Sequence, residues 1–312
     1  MTAKATRQSF GEALAELGAK DPRIVVLDAD LAKSTMSLPF AKRFPERHFE
    51  FGIAESNMIG AAAGLALCGK VPVVTSFACF LTGRLESIRI SVAYMKTNVK
   101  LVGTHAGIGI GDDGASQMAL EDIAAMRALP GMTVLQPADD LETRQAVEWM
   151  LAHDGPVYLR LTRQKVPDVH AADYRFQPGR ADAVFEPAKR SPKLQATVFA
   201  SGGTVGEAVE AARGLESRGF AVRVLNCASL APFDAEAVAK ACADSQRLVS
   251  VEDHNENGGL GGALCEAASR VGGVPVVRLG VRSFGESGLS EELYEKHGLS
   301  AAHIAEACIR NL

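Results

Sequence analysis

Short apolar runs alternate with amphipathic stretches along most of the chain. RIVVLDAD from Arg23, VPVVTSF from Val71, VKLVGT from Val99, TVLQP from Thr133 and PVYLRLT from Pro156 each read as a strand covered on both faces. Another strand ends at Gly52. Between them lie stretches of helical period. The first covers Arg7–Gly18, with Phe10, Ala13, Leu14 and Leu17 on one face. Others begin at Glu55, lie near Leu81–Lys96, follow Ser116 and begin at Asp140. This rhythm predicts a doubly wound unit over 1–166. It stops over 167–193, a polar stretch with four prolines, which reads as an interdomain linker. It resumes over 194–312 with strands at ATVFASGGT, AVRVLN, RLVSVED and VPVVRLG. Helices are expected near Val205–Arg218, from Asp234, after Asn257 and from Ser300. The expected fold class is α/β: two doubly wound domains, each with a largely parallel sheet.

Composition narrows the function. A chain of 312 residues with 47% hydrophobic content can build two ordinary cores. The net charge is −4 and no basic run is present, which argues against nucleic acid as a partner. No apolar stretch reaches the length of about 18 residues that a membrane helix needs, and MTAKATRQSF lacks an apolar signal core. A soluble, cytoplasmic protein is expected. Six cysteines without a C-x-x-C suggest reduced core thiols rather than disulfides or zinc.

The most informative segment is FGIAESNMIGAAAGLALCG, residues 51–69. It places one carboxylate, Glu55, where a strand end meets a helix of small and apolar residues. An acid in the first turn of a helix is favoured by the macrodipole alone. Here its neighbours predict burial, and desolvation raises a carboxyl's pKa. TSFACF follows, with Phe77 and Phe80 spaced i, i+3, a pattern that ordinary core packing would also give. Gly109, Gly111 and Gly114 form a G-x-G-x-x-G after a strand. The turn is too long for a dinucleotide crossing, and Asp112 and Asp113 inside it would repel a pyrophosphate.

Taken together, FGIAES, TSFACF and GTHAGIGIGDDGASQ resemble the pyrimidine-binding domain of thiamine diphosphate enzymes, specifically transketolase. VEDHNENGGLGGAL is similar to strings in the C-terminal domains of the same superfamily. The resemblance extends over essentially the whole chain. It implies that Glu55 meets the aminopyrimidine ring of thiamine diphosphate and promotes formation of the ylid that attacks a ketose carbonyl. Phe77 and Phe80 would form the aromatic wall on that ring, and Asp30 would contact the cofactor across an interface between chains. Arg7, Ser34, His105 and Arg163 match the sugar-phosphate clamp, with His105 also at a catalytic position. Asp113 matches a contact to the donor's C2 hydroxyl.

Two positions depart from the pattern. Gly83 stands where a tyrosine is usual, and Gln117 where a second active-site histidine is expected. The family's Gly-Asp-Gly and later Asn, which hold the diphosphate through Mg2+ or Ca2+, find no match here. The resemblance therefore implies the C-terminal subunit of a split transketolase. An N-terminal partner subunit would carry the diphosphate and metal ligands, in a two-plus-two heterotetramer. The implied reaction transfers a two-carbon ketol unit between sugar phosphates. The alternatives are a subunit of a pyruvate-using relative (deoxyxylulose phosphate synthase or a 2-oxo acid decarboxylase β subunit) and a non-catalytic partner subunit. Glu252 and His254 are assigned no catalytic role.

Overall fold

The computed structural model describes residues 3–188 and 193–310. Seven strands form the first sheet, in the order Ser229–Ala231, Thr133–Leu135, Val157–Arg160, Lys100–Thr104, Val71–Phe77, Ile24–Asp28 and His48–Glu50. The last six pair in parallel. Val26, Leu27, Val73, Val74 and Leu101 are fully buried, as expected of a parallel sheet with helices on both faces. Ser229–Ala231 is the exception. It comes from the second half of the chain and pairs antiparallel with Thr133–Leu135.

The second sheet has five strands, in the order Val276–Val281, Leu248–Asn255, Ala196–Ala200, Val222–Asn226 and Asp182–Phe185. All pair in parallel except Asp182–Phe185, an antiparallel edge. The segment read as a linker therefore supplies a strand. It also contains His170, which Asp139 of the first domain holds by a 2.8 Å contact.

Local chemistry explains the helix starts. Asp139 accepts the Glu142 N–H at 2.9 Å and opens the helix Asp140–Ala152. Asp234 does the same for Ala237 at the head of Ala235–Asp244. Such caps satisfy donors that a helix leaves without partners. The helix Thr6–Gly18 buries Phe10, Ala13 and Leu14 on its predicted face.

Two helices differ from expectation. The one predicted near Leu81–Lys96 is broken into Ala78–Thr82, Leu85–Ser87 and a π-helical turn, Ile88–Tyr94. The break falls at Gly83, a residue that costs helix stability. The helix expected after Ser116 is present but short and begins late, at Asp122–Arg127, behind a 3₁₀ turn at Ala115–Gln117. The Ala119 carbonyl in between is occupied by the Gly107 N–H at 2.9 Å and the Arg160 guanidinium at 3.0 Å. No helix among the described residues is long and apolar enough to cross a membrane. The six cysteines are free thiols.

One core cluster runs through both domains, joining Met126 and Val134 to Phe199, Leu225 and Leu260. At its margin Arg160 makes two bonds to Asp122, at 2.7 and 3.1 Å, and one to the Asp253 carbonyl at 2.9 Å. Tyr158 donates to Asp122 at 2.6 Å. Arg160 and Asp122 are almost wholly buried.

Candidate active site

The strands Ile24–Asp28, Val71–Phe77 and Lys100–Thr104 are neighbours, and their C-terminal ends lie together. Open α/β sheets bind ligands at that edge. A cleft of about 770 Å3 opens there, lined by Arg7, Ser34, Phe77, His105, Asp113 and Arg163. Six residues chosen from scattered sequence positions thus meet in one place. Lys33 and Lys42 join them. Sequence reasoning missed both, because a lone lysine carries no pattern. Four permanent cations now face one carboxylate, Asp113.

Arg7 and His105 are coupled. Arg7 Nη1 donates to the Ser34 carbonyl at 2.6 Å and lies 3.1 Å from His105 Nε2. A guanidinium can only donate, so Nε2 accepts and the imidazole proton sits on Nδ1. That nitrogen lies 2.8 Å from Thr104 Oγ1, whose hydroxyl donates to the Ser76 carbonyl at 3.4 Å. The ring stacks on Phe77 with centroids 3.8 Å apart. His105 is held at φ 59°, a left-handed conformation rare outside glycine. Burial, then Arg7 and Arg163, push its pKa down to about 3. Burial and the Arg163 charge also lower the Arg7 pKa. Arg7 Nε is buried without a hydrogen-bond partner among the described residues.

A histidine whose folded pKa lies below its unfolded value contributes stability above the unfolded value, and loses it as pH falls toward the folded one. His105 is therefore expected to stay neutral in the free chain at pH values where an ordinary histidine titrates, and to take up a proton more readily when an anion enters the cleft. Histidine-selective NMR titration checks this. A free-chain midpoint near the ordinary value of about 6.5 would contradict it.

Glu55 opens the helix Glu55–Leu67, after a turn at Gly52 with φ 64°. The residue is 4% exposed. Met58, Ile59, Ala62 and Ala63 bury the inner face of this helix, while Ser56, Gly60 and Gly64 remain exposed. Arg84 Nη2 lies 3.7 Å from the Glu55 carboxylate. That cation is a second omission of the sequence reading, which singles out its neighbour Gly83. Phe77 and Phe80 stack nearly parallel, 7° apart in plane, with centroids at 5.5 Å. Asp30 is exposed with φ 61°. Glu50 Oε1 accepts N–H groups from Asp30 and Gly52, both at 2.8 Å, and ties the two turns together. Glu55, Phe80, Asp30 and Gln117 lie outside the lining of the cleft, and Gln117 ends the 3₁₀ turn.

The loop after His105 is fastened from the second domain. Asp253 accepts the Ile108 and Gly109 N–H groups at 2.7 and 3.0 Å, and the Tyr294 hydroxyl at 2.9 Å. Ser290 donates to the Gly109 carbonyl at 2.8 Å. Gly107 has φ 80°, and a Cβ there would lie 2.3 Å from Asp253 Cγ. Close packing accounts for this glycine. Glu252 caps the helix Leu260–Ala268 through the Leu260 and Gly261 N–H groups at 2.7 and 2.8 Å.

Residues 2–169 match the family model for the transketolase pyrimidine-binding domain, and 188–304 match that for the transketolase C-terminal domain. The chain belongs to the transketolase family, which depends in general on thiamine diphosphate. It is similar to 6-deoxy-6-sulfo-D-fructose transketolase subunit SqwH of Clostridium sp. (strain MSTE9), with 40% identity over 96% of this chain and 92% of that protein. A subunit of the apulose-4-phosphate transketolase of Phocaeicola vulgatus is 36% identical over 98% of this chain and 96% of that one. Mouse transketolase is 38% identical over 97% of this chain, which spans 48% of its length. Among solved structures, a split gene transketolase in an inactive β4 tetramer superposes with a TM-score of 0.88. It is 44% identical and is covered over 97% of its length, against 98% of this chain.

Proposed function

We propose that this chain is the C-terminal subunit of a two-component transketolase that moves a two-carbon ketol unit from a ketose phosphate to an aldose phosphate. The single observation that carries this reading is the cleft at Arg7 and Arg163, where four cations converge beside a neutral histidine and an aromatic ring. Guanidiniums bind phosphate as forks, and two that raise each other's energy gain most from an anion between them. A pyruvate-using relative has less use for such a clamp.

The residues present also fit the cofactor. Glu55 is a buried carboxylate beside one loosely placed cation, and Phe77 and Phe80 offer a flat apolar stack. A ring with a nitrogen to protonate suits that pair. Bound thiamine diphosphate supplies the carbon nucleophile and the electron sink for cleaving the ketose. Glu55 would hold a proton at the aminopyrimidine nitrogen, and Asp30 would face the cofactor across an interface between chains. Arg7, Ser34, Arg163, Lys33 and Lys42 clamp the substrate phosphate. Once the substrate phosphate draws Arg7 off Nε2, His105 accepts a hydroxyl proton there, while Asp113 and Gln117 order the other hydroxyls.

We assign the diphosphate and its Mg2+ or Ca2+ to a partner subunit, in a cytoplasmic two-plus-two assembly. Ile53, Leu67 and Tyr94, close in sequence to the Glu55 helix or its neighbours, are exposed apolar side chains that such a partner would cover. Affinity purification from native lysate should recover a stoichiometric partner, and the pair should transfer ketol groups between sugar phosphates. Recovery of the chain alone, inactive under all thiamine conditions, would refute the assignment. In the active pair, Arg163→Ala should raise KM for phosphorylated sugars about 10- to 100-fold, as expected when a charge-assisted contact is lost. An equal effect on unphosphorylated sugars would remove Arg163 from the clamp.

A further inference from the structure

Arg163 sits at a bend between the strands Val157–Arg160 and Lys165–Pro167. A bend does not by itself fix the direction of a long side chain, so a binding residue there depends on its supports. Two contacts supply them. The Arg163 guanidinium donates from Nη1 to the Ile110 carbonyl at 2.6 Å. The next side chain, Gln164, donates from Nε2 to the Tyr294 hydroxyl at 3.0 Å. Tyr294 belongs to the second domain, on the helix Ser290–Lys296.

Both contacts lead back to one pair of buried residues, Asp253 and Tyr294. The Tyr294 hydroxyl donates to Asp253 Oδ2 at 2.9 Å. The two Asp253 oxygens accept the Ile108 and Gly109 N–H groups, and Ile110 follows directly. Bonds from main-chain N–H groups to a buried carboxylate are charge-assisted, and the low local dielectric strengthens them. The packing leaves no slack. A Cβ at Gly109 would lie 2.1 Å from Gln164 Nε2, and one at Gly203 would lie 2.6 Å from that atom and 2.8 Å from the Tyr294 oxygen. The Gln164 amide thus passes between a glycine of each domain, where no side chain could be accommodated.

We propose that Asp253 and Tyr294 are positioning residues for sugar-phosphate recognition. They hold residues 108–110 and, through the Ile110 carbonyl and Gln164, keep the Arg163 guanidinium at the cleft. The proposal rests on the reading of Arg163 as a grip on the substrate phosphate. It gives the second domain a share in choosing phosphorylated over unphosphorylated sugars, although that domain supplies no lining residue to the cleft.

The test is the ratio of kcat/KM for ribose 5-phosphate to that for ribose, as acceptors at a fixed donor, in the active pair. Arg163→Ala should lower this ratio about 10- to 100-fold. Tyr294→Phe keeps the ring and removes only the shared hydroxyl, and should lower it about three- to tenfold. Asp253→Asn turns one acceptor into a donor that faces a main-chain N–H, and should lower it at least about tenfold. Added to Arg163→Ala, Tyr294→Phe should change the ratio by no more than about twofold, because it acts through Arg163. Hydrogen exchange of the full chain, without cofactor or sugar, should show faster exchange at Ile108 and Gly109 in Tyr294→Phe and Asp253→Asn. If Asp253→Asn does not fold, Tyr294→Phe decides alone. Equal losses with ribose and ribose 5-phosphate would make the role merely structural and overturn the proposal. So would unchanged exchange at Ile108 and Gly109, or losses that add fully to that of Arg163→Ala. A ratio indifferent to Tyr294 and Asp253 but sensitive to Arg163 would overturn this inference alone. A ratio indifferent to Arg163 would overturn the clamp with it.

Discussion

Glu55→Gln should lower ketol transfer by the assembled enzyme about a thousandfold, within the range for losing a proton-handling group. The substitution is nearly isosteric, so the helix Glu55–Leu67 keeps its buried face of Met58, Ile59, Ala62 and Ala63. What changes is the charge available to a ring nitrogen, and with it the loose pairing to Arg84. Size-exclusion chromatography should show an unchanged assembly, which separates a chemical effect from a folding one. Retention of more than about a tenth of the activity would sink the role given to Glu55. Loss of activity together with loss of assembly would assign Glu55 to the subunit contact instead.

Arg160→Met should cost about 3–5 kcal/mol of stability, read from the urea midpoint at constant slope. The penalty comes from what remains rather than from what is removed. Asp122 would be left charged and buried, with the Tyr158 hydroxyl as its remaining side-chain partner among the described residues. Adding Asp122→Leu should recover part of the loss, because a buried ion pair often contributes little beyond a well-packed apolar pair. A change below about 1 kcal/mol in the single variant would mean that water reaches Asp122 more easily than its burial indicates.

Much of the architecture is legible because parallel strands buried on both faces are written as unbroken apolar runs. IVVL and VPVV could hardly be anything else. The helix expected after Ser116 starts only at Asp122, and nothing local announces that the Ala119 carbonyl is spent on Arg160, 41 residues later in sequence. The strand Asp182–Phe185 is hidden for a similar reason. Its pairing with Val222–Asn226 comes from the sheet rather than from its own mixed polar sequence. At the cleft, Phe77, His105 and Arg163 are lining residues that stand within recognisable strings. Lys33 and Lys42 at the cleft, and Arg84 beside Glu55, stand in no such string, since their positions are set by where neighbouring strands end. Asp253 lies inside a recognisable string, VEDHNENGGLGGAL. Its bonds to Ile108 and Gly109 become evident only when the two domains are seen together.

The strand Ser229–Ala231 bears on how such a protein can be divided and inherited. An edge left open is a template for unwanted pairing. If the polypeptide ended after the first domain, Thr133–Leu135 would become that open edge, and the loop beyond His105 would lose its anchors at Asp253 and Ser290. The prolines of 167–193 look like a natural place to cut, but the two halves they join share a sheet and the fastening of the loop after His105. Exchange of parts between relatives should therefore succeed when both halves travel together, and yield insoluble or idle chimaeras when they do not.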